Sequence, residues 1–163
     1  RPAGSFVPDQ AGVRAAGRYD NTVASAASAT GAQRGQEAVK AAAHFGKTAA
    51  GSSRYSYYVI LSPKGTNPDN YKSPTTGYCA WHDYTGDGYS VTAPGGDFAF
   101  SNQPYNIDQG ASCGVGFVNS PGTLDGYTMT LGHEWQAMVS DQFPAGGWTT
   151  KTGGTLNGQE NSD

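Results

Sequence analysis

Apolar positions along this chain fall into two rhythms, one helical and one alternating. Leu131, Trp135 and Met138 recur at i, i+4 and i+7, the spacing of one stripe on an amphipathic helix. At about 100° per residue, His133 lies nearly opposite that stripe, and Glu134 and Asp141 share a line a quarter-turn away. Thr123 offers an N-cap, Asp125 a first-turn carboxylate, and Pro144 with Gly146-Gly147 an end. The pattern predicts a helix over Thr123–Ser140 that buries Leu131, Trp135 and Met138 against a sheet and turns His133 to a cleft. A second helix is expected over Gly31–Phe45, where Ala32, Gln36, Val39 and Ala43 favour it and Gly46 caps it. His44, in its last turn, suits the helix dipole and reads as structural.

The alternating rhythm marks strands. Tyr55–Ser62 is aromatic and β-branched, as befits a central strand, and Pro63-Lys64-Gly65 closes it. Tyr78–Asp83 and Tyr89–Ala93 read as a hairpin around Gly86-Asp87-Gly88, Asp97–Ser101 as a further short strand, and Ser5–Asp9 as an edge strand. The expected class is α+β: a mixed or mostly antiparallel sheet with two main helices.

Composition narrows the picture. A chain of 163 residues is read as one domain, with no repeat or linker to divide it. Ten tyrosines and three tryptophans belong to an ordered chain. A net charge of −3 gives no basic patch, so nucleic acid is not an expected partner, and no apolar run approaches the ~18 residues of a membrane span. Little lysine, much Gly, Ser, Thr and Tyr, and two cysteines suggest an exported protein. Cys79 and Cys113 can pair in an oxidising compartment or remain buried thiols; their spacing leaves both open, and the disulfide is the expectation.

Two stretches carry candidate chemistry. His133-Glu134 on a helix is the first half of the zinc-protease signature H-E-x-x-H, in which histidines one turn apart bind metal and the glutamate activates water. The second ligand position is Ala137, so the signature is incomplete, and a solvated helix face is the bland alternative. Asp83-Tyr84-Thr85-Gly86-Asp87-Gly88 places Asp83, Thr85 and Asp87 as the start of a calcium loop would, but Pro94 stands where the closing acid belongs. A hairpin turn explains that stretch better than calcium held by Asp83 and Asp87.

Taken in order, Tyr78–Asp83, Phe98–Tyr105, Gly110–Gly114, Thr123–Gly126, Gly132-His133-Glu134, Ser140-Asp141-Gln142, Pro144–Trp148 and Gly158–Asp163 resemble a family of secreted, uncharacterised bacterial proteins common in actinobacteria and distantly similar to plant exordium proteins. The resemblance covers about Gly31 to Asp163. It implies a zincin-like arrangement with an H-E-x-x-E helix, whose second carboxylate position is Ala137 here, so that this form is expected to be weakened or inactive. It also implies that residues 1–163 are a fragment, or the first chain of a processed precursor that stays with a second.

The functional expectation is a secreted metal-dependent hydrolase, a peptidase acting on peptide or protein substrates. Zinc would be held by His133, Asp141 and Glu160, with Asp163 behind them and Glu134 as catalytic base. Two alternatives stand beside it. One is a non-catalytic extracellular protein binding cell-wall carbohydrate through its aromatic side chains. The other is a carboxylate-dependent acid protease using Glu134 and Asp141, although seven residues of helix separate them by ~10.5 Å.

Overall fold

The computed structural model describes residues 17–23, 25–87, 91–144, 147–151, 154–155 and 157–160. The expected edge strand Ser5–Asp9 and Asp163 lie outside them.

Helix α1 spans Gly31–His44. Thr30 and Gln33 form a reciprocal capping box at its start. At its end Gly46, with φ 70°, donates to the Ala43 carbonyl at 3.0 Å, the left-handed C-terminal cap that the glycine suggested. Strand β1 is Tyr57–Leu61, β2 Trp81–Tyr84 and β3 Ala99–Gln103. The sheet order is β1-β3-β2, with β1 parallel and β2 antiparallel to β3. The molecule is thus α+β with a small mixed sheet.

The central strand is β3, buried along its whole length, rather than the segment around Tyr57. That segment sits at an edge because nothing else among the described residues pairs with its outer side. The expected hairpin is also corrected. The antiparallel partner of β2 is β3, and 91–93 are irregular, joined to the turn by Val91 N–H donating to Thr85 O at 3.1 Å. Residues 88–90 lie outside the described set.

Strand alternation gives the sheet two unlike faces. Tyr58, Ile60 and Phe100 point to one side, where Ala38, Ala41 and Ala42 of α1 and Phe98 complete an apolar core. Small alanines let the helix approach closely while the aromatic rings fill the volume. The opposite face presents His82, Ser101 and Gln103, and on it lies α2, Asp125–Ser140.

Here the stripe prediction fails. The buried line of α2 is Gly126, Glu134, Ala137 and Asp141, with Thr130 between, whereas Leu131, Trp135 and Met138 are only half-buried. A polar strand face needs hydrogen-bonding partners, and the polar, small side of the helix supplies them. Gln103, Asn106 and Thr130 form one amide–hydroxyl network there, with bonds of 3.0–3.1 Å. Gly126 permits contact with the Cys113 carbonyl so close that a β-carbon would collide. The helix also starts later than expected: Thr123 does not cap it. The Asp125 carboxylate turns back instead to accept from the N–H groups of Val118 and Asn119 at 2.9 and 2.8 Å.

A disulfide joins Cys79, just before β2, to Cys113, the end of a short helical segment spanning Asn106–Cys113. No helix among the described residues is long and apolar enough to cross a membrane.

Candidate functional site

His82 projects from β2 on the polar face of the sheet, directly under the buried line of α2. Its Nδ1 is 3.3 Å from Glu134 Oε2, and its Nε2 is 2.9 Å from the backbone carbonyl of Asp141 and 3.5 Å from Glu160 Oε2. The His82 and Glu134 side chains are 4% and 6% exposed, so the pair is dry; Glu160, at 22%, opens the cluster to solvent.

An imidazole that meets acceptors at both nitrogens must carry a proton on each. Burial works against that charge. The hydrogen bonds to Glu134 and the Asp141 carbonyl, and the charges of Glu160 and Glu134, outweigh it and raise the His82 pKa above its ordinary value. His82 is therefore biased toward its protonated form, clamped between the end of α2 and the segment carrying Glu160.

Asp141 is fully buried, yet neither of its carboxylate oxygens has a well-formed hydrogen bond among the described residues. Gly147 packs so closely on this carboxylate that no side chain fits in its place. Burial raises the Asp141 pKa, while His82 and the Gly147 N–H pull it back. Three carboxylates thus gather around a single histidine in a mostly dry setting. Such an imbalance calls for protons or a cation.

Of the residues named from sequence, Glu134, Asp141 and Glu160 come together, drawn from the middle of α2, its C-terminal end and the last described segment. The ring they meet is that of His82, which the sequence reading passed over. His133 precedes Glu134, half-buried and off the line that faces the sheet. The missing signal was tertiary: a lone histidine in a short strand becomes part of a site only when α2 packs over it. Ala137, 1% exposed, sits on the same buried line between Glu134 and Asp141.

The donor types suit a cation. Imidazole and carboxylates are zinc ligands, and the buried Asp141 oxygens have no well-formed hydrogen bond among the described residues. Their present spacing is looser, and among the described residues no three His, Cys, Asp or Glu side chains are grouped closely enough to hold an ion. Asp83 and Asp87 of the expected calcium loop do interact. Burial, with the nearby Asp87 charge, pushes Asp83 up to about 6. They belong to the same turn as Thr85, whose hydroxyl donates to Asp97 at 3.1 Å.

A second feature lies at the other edge of the sheet. A groove of about 1690 Å³ runs along β1, walled by α1 on one side and by Trp135, Met138 and Val139 of α2 on the other. α2 covers β2 and β3 but stops short of β1, which leaves Val59 and Leu61 exposed. Trp135 meets Tyr57 edge-on across the groove, with ring centroids 6.2 Å apart.

The fold and site define a class: a small mixed sheet between two helices, with a buried histidine–carboxylate centre under one of them. No family model matches the chain, and neither a curated protein nor a solved structure matches it.

Proposed function

We propose that this protein is a secreted hydrolase of zincin-like arrangement acting on peptide or protein substrates, with its centre at His82, Glu134, Asp141 and Glu160 and a zinc ion balancing their charge. The observation that carries the proposal is Asp141: a fully buried carboxylate with no well-formed hydrogen bond among the described residues and only the Gly147 N–H turned toward it, beside two further carboxylates and one imidazole. The disulfide is compatible with an oxidising, extracellular setting.

His82, giving up its Nε2 proton to do so, would hold the ion together with Asp141 and Glu160, and the ion supplies Lewis-acid polarisation when bound. Glu134 is the general base, fixed by its contact with His82, a role that contributes typically ~10²–10⁴ in rate. Glu160 lies on the solvent side, where substrate would approach. Ala137 leaves a place on the buried line where a further carboxylate would stand, and activity is expected to be low for that reason. A metal-free acid hydrolase is the second reading, favoured by the upward shifts of His82 and Asp141.

The test is zinc content and casein cleavage of the purified protein, with and without chelator, for the parent, Ala137→Glu and Glu134→Gln in the Ala137→Glu background. The expected outcome is stoichiometric zinc, tighter binding and faster cleavage in Ala137→Glu, and zinc retained without turnover in the double variant. Cleavage at low pH that survives chelation transfers the assignment to the acid reading. If Ala137→Glu binds no more zinc than the parent and is destabilised equally with and without chelator, the metal centre is refuted.

A further inference from the structure

Arg34 is unusual in its position. It lies in the first turn of α1, where the helix dipole already presents positive charge, and it is 6% exposed. Burial lowers its pKa, with Glu37 and Tyr78 acting in the opposite direction. Among the described residues it forms no ion pair. Its guanidinium donates to the hydroxyls of Ser62 at 3.1 Å and Ser25 at 3.5 Å, and its Nε has no partner among the described residues. Five N–H donors are available, and two hydroxyls are a weak return for burying a cation. Asp69, beside the helix start, accepts instead from Gly31 N–H at 3.2 Å, and Glu37 accepts from Asn21 and Lys40.

The groove along β1 ends at this arginine. Ser62 directly follows β1, so Arg34 stands at the C-terminal end of the strand, and both Arg34 and Ser25 line the groove there. The outer edge of β1 is unpaired among the described residues, and its exposed Val59 and Leu61 alternate with buried Tyr58 and Ile60. The charges of the groove are lopsided. Arg18 pairs with Asp20 and Lys40 with Glu37, which leaves Arg34, Lys47 and Arg54 without a described acidic partner in a protein of net charge −3.

We propose that this groove binds an extended peptide as a fourth strand, parallel to β1, with the peptide's free C-terminal carboxylate held by Arg34. The strand edge supplies backbone hydrogen bonds without regard to sequence. Apolar side chains at alternate positions rest against Val59, Leu61, Trp135 and Met138. The guanidinium fork gives a carboxylate two parallel bonds, which fixes direction and register. At about 3.3 Å per residue, the five residues of β1 accommodate a ligand of about five or six residues. Because α2 stands between the groove and His82, binding here is independent of metal or catalysis at that cluster.

The test uses N-terminally labelled hexapeptides of alternating valine and threonine, added to the full chain in the presence of chelator and followed by fluorescence anisotropy. The free acid is expected to bind at least tenfold more tightly than the same peptide with a C-terminal amide. Backbone N-methylation at alternate residues should abolish binding with side chains unchanged. Arg34→Gln should erase the preference for acid over amide, and Lys47→Ala should leave it. The two ligand-side comparisons stand even where Arg34→Gln fails to fold. Equal affinity for acid and amide, absence of binding by both, or binding of a cell-wall oligosaccharide in their place overturns the proposal. The hydrolase assignment is untouched by any of these, since its zinc and cleavage readouts are suppressed by the chelator.

Discussion

The two helices lie on opposite faces of the same three strands and hold them by opposite means. α1 meets Tyr58, Ile60 and Phe100 with alanines, and the contact is apolar and dry. α2 meets His82 and Gln103 with Glu134 and Thr130, and leaves its own Trp135 and Met138 at the flank. The difference teaches that burial of a helix face is decided by what lies opposite it. Where the strand presents an imidazole and an amide, an apolar stripe would leave those groups unsatisfied, and the polar line goes in.

The strongest way to break this comparison is to remove Glu134. Glu134→Ala leaves the His82 imidazolium buried without its carboxylate, and a loss of about 3–5 kcal/mol is expected in urea denaturation. Trp135→Ala, one residue away on the groove side, should cost about 1–2 kcal/mol, since that ring is only half-buried. A larger loss at Trp135 than at Glu134 would restore the apolar stripe as the true interface. An effect below that of Glu134→Ala, about 1–3 kcal/mol, is expected for Gly126→Ala, whose added methyl meets the Cys113 carbonyl. A thermal melt unchanged from the parent would mean that α2 is not seated that closely.

The polar face should also respond to pH, and the apolar face should not. The folded His82 has a pKa above its unfolded value of 6.5, so its contribution is whole below that pH and is lost as pH rises through the folded value. Asp141 and Asp83 are likewise raised, Asp83 to about 6. Their burial becomes unfavourable as pH climbs from the unfolded 3.8 through the folded values. In each case the native state holds more protons than the unfolded chain, and stability falls as pH rises. Asp108 and Asp125 are lowered, and act only at the acid end, below about 3.8. In chelator, the melting temperature should therefore be highest near pH 5 and lower at pH 8. A melting temperature that climbs from pH 5 to 8 would contradict the clamped imidazolium. The smallest effect is expected at Gly132, on the exposed side of α2, where a β-carbon meets nothing within 4 Å. Gly132→Ala should stabilise by up to ~1 kcal/mol through helix propensity alone.

How much of this was legible in the sequence depends on whether the cause was local. The capping glycine of α1, the strand at Tyr57–Leu61 and the α2 segment follow from propensity and periodicity, which act within a few residues. Glu134, Asp141 and Glu160 were legible as candidates through motif and resemblance. His82 was not, because its role comes from a neighbour 52 positions away. The orientation of α2 was misread for the same reason: Leu131, Trp135 and Met138 are apolar enough to be core, but the face awaiting them is not apolar. The hairpin was misassigned because turn chemistry at Gly86-Asp87 says where the chain bends and leaves open which later segment returns beside β2.

The reach of His82 has a consequence for how the molecule comes into being. Its partners at Glu134 and Asp141 follow it by 52 and 59 positions, and Glu160 comes later still. Contacts so distant in sequence form slowly, because a long loop must close before any of them is rewarded. During synthesis the apolar layer of α1, β1 and β3 can assemble while most of α2 is still unmade. The imidazole then waits at the sheet edge until the last carboxylate emerges, so a chain interrupted before Glu160 would keep much of its apolar layer and have no complete centre.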